Sequence, residues 1–112
     1  SERRRLARLL STLAMRPDLL GVGIDEDTAL VIERGEAIEV IGKGSVTLVD
    51  PSQMQSNVGE LESLEQIEML GVQLHLLPAG HRYSTKSVGQ TRRAPSLHLA
   101  IQRLVAVGPI RR

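Results

Sequence analysis

Residues 19–24, Leu-Leu-Gly-Val-Gly-Ile, place the tightest limit on what this chain can fold into. Every position is apolar, and two are glycine. Such a run reads as a short strand buried on both faces with close backbone packing, as in a parallel sheet. It needs cover on two sides. The leading segment, residues 2–15, predicts a helix with Leu6, Leu9, Leu10 and Leu13 on one stripe and Arg4, Arg5, Arg8 and Thr12 opposite. One helix covers one side only. The chain therefore reads as part of a larger α/β domain, sheet-rich with one leading helix.

The pattern downstream supports that class. Arg16-Pro17-Asp18 ends the helix, because a residue before proline avoids the helical region. Residues 29–33 and 36–41 are β-rich runs joined at Arg34-Gly35, which predicts a hairpin. Gly42-Lys43-Gly44 marks a second turn. Residues 45–49 predict a strand with Val46 and Leu48 inward and Thr47 outward, closed by Asp50-Pro51. Residues 52–59 read as loop, 60–70 as a short helix, 72–77 as a strand stopped by Pro78, and 82–86 as an edge strand. Beyond Ser87 the composition turns to Gly, Gln, Thr, Arg and Pro, a linker or tail in which 97–107 is compatible with a short helix. The division expected is 1–87 as part of one domain and 88–112 as its tail.

Composition excludes several function classes. Tyr83 is the sole aromatic among Phe, Trp and Tyr, so there is no stacking platform for single-stranded nucleic acid. A net charge of +1 gives no field directed at nucleic acid or a membrane surface. With no cysteine, neither a disulfide framework nor a thiolate zinc site is available, which is compatible with the cytoplasm. No apolar run approaches the roughly 18 residues of a membrane helix.

Three groups of residues could carry chemistry. Arg3, Arg4, Arg5 and Arg8 crowd the start of a helix, where the helix dipole disfavours cations. A break of that rule points to an anionic ligand or partner, and the planar guanidinium fork suits carboxylates. The bland reading is a solvated basic face. Asp25, Glu26 and Asp27 follow the apolar run, at the strand end where α/β sheets gather their functional groups. A carboxylate there could orient a histidine, or the segment is a polar turn in which Asp27 or Thr28 makes local hydrogen bonds. Of the histidines, His75 sits in an apolar strand, His81 in a turn and His98 in the tail. None pairs at the i, i+4 spacing of a helical metal site, so no metal and no cofactor is expected. Gly-x-Ser-x-Gly is absent, and Gly42-Lys43-Gly44-Ser45 is too short for a phosphate loop.

Taken together, three stretches resemble the cyanophycinase family, serine peptidases of the peptidase E type. Arg3, Arg5 and Arg8 match three arginines in the family's Arg-x-Arg-x-x-Arg-Leu, which there follows an Asp-Gln-His-Phe segment. Residues 21–29 match Gly-x-Gly-Ile-Asp-Glu-x-Thr-Ala. Val40-Ile41-Gly42-x-Gly44-x-Val46 with Asp50, then Leu74-His75-Leu76-Leu77-Pro78-x-Gly80, make the third. Order and spacing agree over about residues 2–86.

The resemblance implies the C-terminal part of a flavodoxin-like, class I glutamine-amidotransferase-like αβα domain. It implies release of β-aspartyl-arginine dipeptides from cyanophycin, a poly-aspartate bearing arginine side groups. In that chemistry a serine attacks, a histidine takes its proton and a glutamate steadies the histidine. Glu26 matches the glutamate, and Arg3, Arg5 and Arg8 match the substrate pocket. The family's serine elbow and Asp-Gln-His-Phe would lie upstream of Ser1, and His75, His81 and His98 do not stand in the histidine's place. The expectation is a fragment, inactive without the N-terminal portion of the enzyme, cytoplasmic, within a homodimer. Residues from about Arg93 onward match nothing in the family pattern. The alternative is a stand-alone binding module that holds an acidic partner on its arginine helix.

Overall fold

The computed structural model describes residues 2–56, 69–86 and 93–106. The chain is α/β. Its elements are α1 (Glu2–Met15), β1 (Gly21–Ile24), β2 (Thr28–Glu33), β3 (Ala37–Gly42), β4 (Ser45–Asp50), β5 (Gln55–Ser56), β6 (Met69–Leu70), β7 (Gln73–Pro78), β8 (His81–Ser84) and α2 (Pro95–Val105). Two compact units divide them: Ser1–Gly21 with Val49–Leu74, and Val22–Leu48 with His75–Arg112.

In the first unit α1 runs over the residues expected of it. Leu13 and Ala14 are buried and Leu9 and Leu10 half-buried, while Leu6, on the same stripe, stays 43% exposed. Arg8 and Arg4 face solvent. At the helix end the Arg16 N–H is shared between the carbonyls of Thr12 (3.0 Å) and Leu13 (3.2 Å), the forked bond common at helix termini. Leu9 and Leu13 lie against Gly21, where a methyl group would stand 2.9 Å from Leu13 Cδ1. The helix thus supplies the cover that the start of the apolar run requires. Buried Asp50 accepts from the Ser52 N–H at 3.0 Å, a local turn that redirects the chain at Pro51. The stretch expected to be loop pairs at Gln55–Ser56 with Met69–Leu70 as an antiparallel ribbon. Met69–Leu70 is therefore strand, not the end of a helix; residues 60–68 of that expected helix lie outside the described ones.

In the second unit β2 and β3 form the expected hairpin, with Thr28 opposite Gly42 and Glu33 opposite Ala37, and Gly35 in its turn at φ 74°. β8 adds antiparallel to β3, giving the order β2-β3-β8 with β8 at the edge, as the sequence predicts. α2 lies on this sheet through Ala100, Ile101, Leu104 and Val105, and the Gly35 N–H donates to the Val105 carbonyl at 2.8 Å. The helix opens at Pro95, whose fixed φ suits a first helical position, rather than at Leu97.

The remaining three-stranded sheet has the order β1-β4-β7. This corrects the opening expectation. Among the described residues the most buried strand is the central one, β4, with Val46, Leu48, Val49 and Asp50 buried and Ser45 and Thr47 half-buried, whereas β1 pairs with β4 alone and its Ile24 is 51% exposed. Apolarity alone does not separate a central strand from one at the side of a sheet, because both need a covered face.

Candidate active site

The acidic segment 25–28 and the glycine turn 42–45 read as separate turns in the sequence. They form one interlocked unit at the end of β1. The Asp25 N–H donates to the Ser45 carbonyl (3.1 Å), and the Ser45 N–H donates back to Asp25 Oδ2 (2.9 Å). The Lys43 N–H donates to the Asp27 carbonyl (2.9 Å), and the Gly44 N–H to Thr28 Oγ1 (2.9 Å). Thr28 Oγ1 in turn donates to the Glu26 carbonyl at 3.1 Å. Asp27 sits in the left-handed region at φ 54°, a conformation Asp tolerates better than bulkier residues.

The two glycines follow from this interlock. Gly42 has φ 113°, and a Cβ there would run into the Asp27 carbonyl oxygen and stand 2.8 Å from Thr28 Cα. A Cβ at Gly44 would stand 2.7 Å from both Asp25 Cβ and Oδ2 and 2.9 Å from Thr28 Oγ1. No side chain fits between the two turns.

The arrangement sorts the three acids. Asp25 spends its carboxylate on a backbone N–H. Asp27 supplies the backbone curvature and a carbonyl. The Glu26 and Asp27 carboxylates are exposed and take part in none of the hydrogen bonds or ion pairs among the described residues, while the Glu26 carbonyl is tied down by Thr28. A carboxylate on a fixed backbone with unspent acceptor capacity is what orienting an imidazole requires. The local reading of Thr28 as a hydrogen-bonding turn residue and the functional reading of Glu26 are thus compatible. The sequence sign of the clamp was Gly42-x-Gly44 following Asp-Glu-x-Thr at hairpin distance.

The arginines stand on the other unit. Arg8 is exposed on α1 and its carbonyl accepts from Thr12 Oγ1 at 3.0 Å. Arg3 and Arg5 belong to the same helix, and their side chains lie outside the described residues. The histidines are engaged elsewhere. His75 Nε2 lies 3.3 Å from Ser96 Oγ, His98 Nδ1 lies 3.3 Å from Arg93 Nη1, and the His81 ring stacks on Tyr83 with centroids 6.4 Å apart. Arginine only donates, so His98 Nδ1 is the acceptor there. Arg93 also donates to the Ser84 carbonyl at 2.6 Å. Burial pushes the Tyr83 phenol above its ordinary range, and nearby Arg93 partly opposes the shift. Among the described residues no three His, Asp or Glu side chains gather as a metal site, and no helix is long and apolar enough to cross a membrane.

No family model matches the chain. Individual proteins do. It is 46% identical over 86 residues to a cyanophycinase of Geminocystis herdmanii, covering 76% of this chain and 32% of that protein. A cyanophycinase of Trichormus variabilis is 44% identical over 82 residues (72% and 28%), and one of Synechococcus elongatus 41% over 86 (76% and 27%). The chain thus spans about a third or less of the length of these relatives. Its α/β elements are compatible with part of an αβα peptidase domain. Over about three quarters of its own length, the chain is similar in sequence to the C-terminal part of cyanophycinases.

Proposed function

We propose that this chain supplies the C-terminal part of a serine peptidase that cleaves cyanophycin to β-aspartyl-arginine dipeptides, and that Glu26 is the acid of its catalytic triad. The observation that carries the reading is the clamped turn. Of three adjacent acids, Asp25 spends its carboxylate on the Ser45 N–H, and of the two whose carboxylates stay unspent among the described residues, Glu26 and Asp27, Glu26 is the one that matches the family's glutamate. In the complete enzyme a serine hydroxyl attacks the scissile carbonyl and passes its proton to a histidine. Glu26 accepts the other N–H of that ring, fixes its tautomer and stabilises the imidazolium. The histidine then protonates the leaving amine, and water hydrolyses the acyl-enzyme by the reverse proton route. Arg3, Arg5 and Arg8 hold aspartyl carboxylates of the polymer, for which paired N–H donors are suited. The serine and histidine come from the portion of the enzyme that the relatives have and these residues do not match, so the chain alone hydrolyses nothing. No step calls for a metal or a cofactor. The enzyme acts in the cytoplasm as a homodimer, and absence of cysteine fits that compartment.

The test is a chimera in which the 86 aligned residues replace their counterpart in the Geminocystis herdmanii cyanophycinase. Dipeptide release from the polymer is measured for the chimera, its Glu26→Gln variant and its Arg8→Ala variant. The reading predicts turnover by the chimera and a loss of about a thousandfold or more with Glu26→Gln. It predicts a raised KM with Arg8→Ala. An active chimera indifferent to Glu26→Gln contradicts the assignment of the acid. A salt-sensitive complex of the 112-residue chain with an acidic protein, weakened by Arg8→Ala, together with a dead chimera, points instead to a binding module.

A further inference from the structure

The triad assignment leaves open what keeps Glu26 in place, since no hydrogen bond or ion pair among the described residues holds its carboxylate. We infer that the Thr28 hydroxyl is the positioning residue for Glu26, an inference that rests on the proposed role of Glu26 as triad acid. The hydroxyl stands in the middle of a relay. It accepts the Gly44 N–H at 2.9 Å and donates its own proton to the Glu26 carbonyl at 3.1 Å. The first bond is part-buried and anchors the hydroxyl to the turn that opens β4, the most buried strand. The second passes that anchorage to the residue that carries the exposed carboxylate. The backbone between them has little slack, because Asp27 is already in the left-handed region and its carbonyl is held by the Lys43 N–H at 2.9 Å. Asp25 clamps the preceding residue through Ser45, so Glu26 is pinned on both sides of its Cα.

Valine has nearly the shape of threonine but can neither accept the Gly44 N–H nor donate to Glu26. Thr28→Val therefore leaves the turn filled and frees the Glu26 peptide to rotate. A displacement of about 1 Å at a catalytic group costs on the order of a hundredfold in rate, and substrate affinity rests on other residues.

Two measurements test this. In the 112-residue chain, amide exchange at Gly44 and backbone relaxation at Glu26 are followed by NMR for Thr28→Val and Thr28→Ser. Faster Gly44 exchange and a more mobile Glu26 in the valine variant, both restored by serine, are expected; an unchanged Gly44 and Glu26 in Thr28→Val overturns the relay. In the active chimera, Thr28→Val is expected to lower kcat by about tenfold to a hundredfold with KM little changed, and Thr28→Ser to recover most of it. Full activity of Thr28→Val where Glu26→Gln is dead refutes the positioning role and leaves the triad assignment standing. Full activity of Glu26→Gln refutes the triad assignment itself, whatever Thr28→Val does.

Discussion

Replacing Gly44 by alanine isolates the interlock between the two turns. The added methyl would stand 2.7 Å from Asp25 Cβ and Oδ2 and 2.9 Å from Thr28 Oγ1, closer than non-bonded carbon settles. Two responses are open to the fold, and each separates the turns. Either Asp25 swings away and abandons the Ser45 N–H, or the 42–45 turn lifts and abandons the bond from Gly44 to Thr28. A hydrogen bond to a charged acceptor contributes about 1.5–3 kcal/mol and a neutral one about 0.5–1.5 kcal/mol. Because the Asp25 bond is solvent-exposed, its low end applies, and either route forfeits about 0.5–1.5 kcal/mol. With a urea dependence of about 2 kcal/mol per molar, the unfolding midpoint falls by about 0.3–0.8 M. Gly23→Ala is the matched control. Its methyl would meet only Thr47, at 3.8 Å from Cβ, an ordinary contact, so its midpoint moves by less than about 0.3 M. Urea unfolding monitored by circular dichroism reads both. If Gly44→Ala unfolds with the Gly23→Ala variant, the two turns are not mechanically joined and the explanation of Gly44 is wrong.

Further outcomes can be checked independently. Ile101→Ala, at a fully buried position of α2, should destabilise by about 2–5 kcal/mol in urea unfolding, and deleting residues 95–112 should expose the Gly35 amide to rapid exchange, since its acceptor is the Val105 carbonyl. Tyr83 is the only tyrosine and tryptophan is absent, so tyrosinate absorbance titrates one group; its midpoint should lie above the ordinary value of about 10, and Arg93→Ala should raise it further. The sign follows from the raised folded value: the stability this phenol contributes is complete below about pH 10 and is lost as pH rises through its folded pKa. Arg82→Ala removes an ion pair to Glu33 at 2.8 Å between groups that are 47% and 40% exposed, and the urea midpoint should not shift measurably.

Local signals carried most of the fold. The helix ends at Arg16-Pro17, the hairpin turns at Arg34-Gly35 and the edge strand follows Gly80 because turn and breaker residues act within a few positions of themselves. What local signals missed was pairing at a distance. Gln55–Ser56 finds its partner only at a distance in the sequence, at Met69–Leu70, and with two residues each neither segment is long enough to announce a strand. Burial was misjudged for the same reason. Ile24 looks as buried as Leu48 in the sequence, and only strand order separates them.

At the site, the residue types were legible and their division of labour was not. Asp25 and Glu26 are equivalent as carboxylates in the sequence. They become distinct only when the Ser45 N–H arrives across 20 residues to occupy the first of them. Thr28 likewise reads as a local turn residue, and its second partner, Gly44, comes from the opposite end of the hairpin.

That division makes the contrast between Glu26→Gln and Asp25→Asn the decisive measurement. Turnover of cyanophycin and urea stability are compared for both variants in the same chimeric enzyme. Glu26→Gln should lose about a thousandfold to ten-thousandfold in kcat while its urea midpoint stays at that of the parent. Asp25→Asn should lower the midpoint, because it weakens a bond to the Ser45 N–H, and should keep far more of the turnover. An Asp25→Asn variant that is stable but dead, beside a Glu26→Gln variant that turns over normally, would contradict the assignment of Asp25 to the fold and Glu26 to the chemistry.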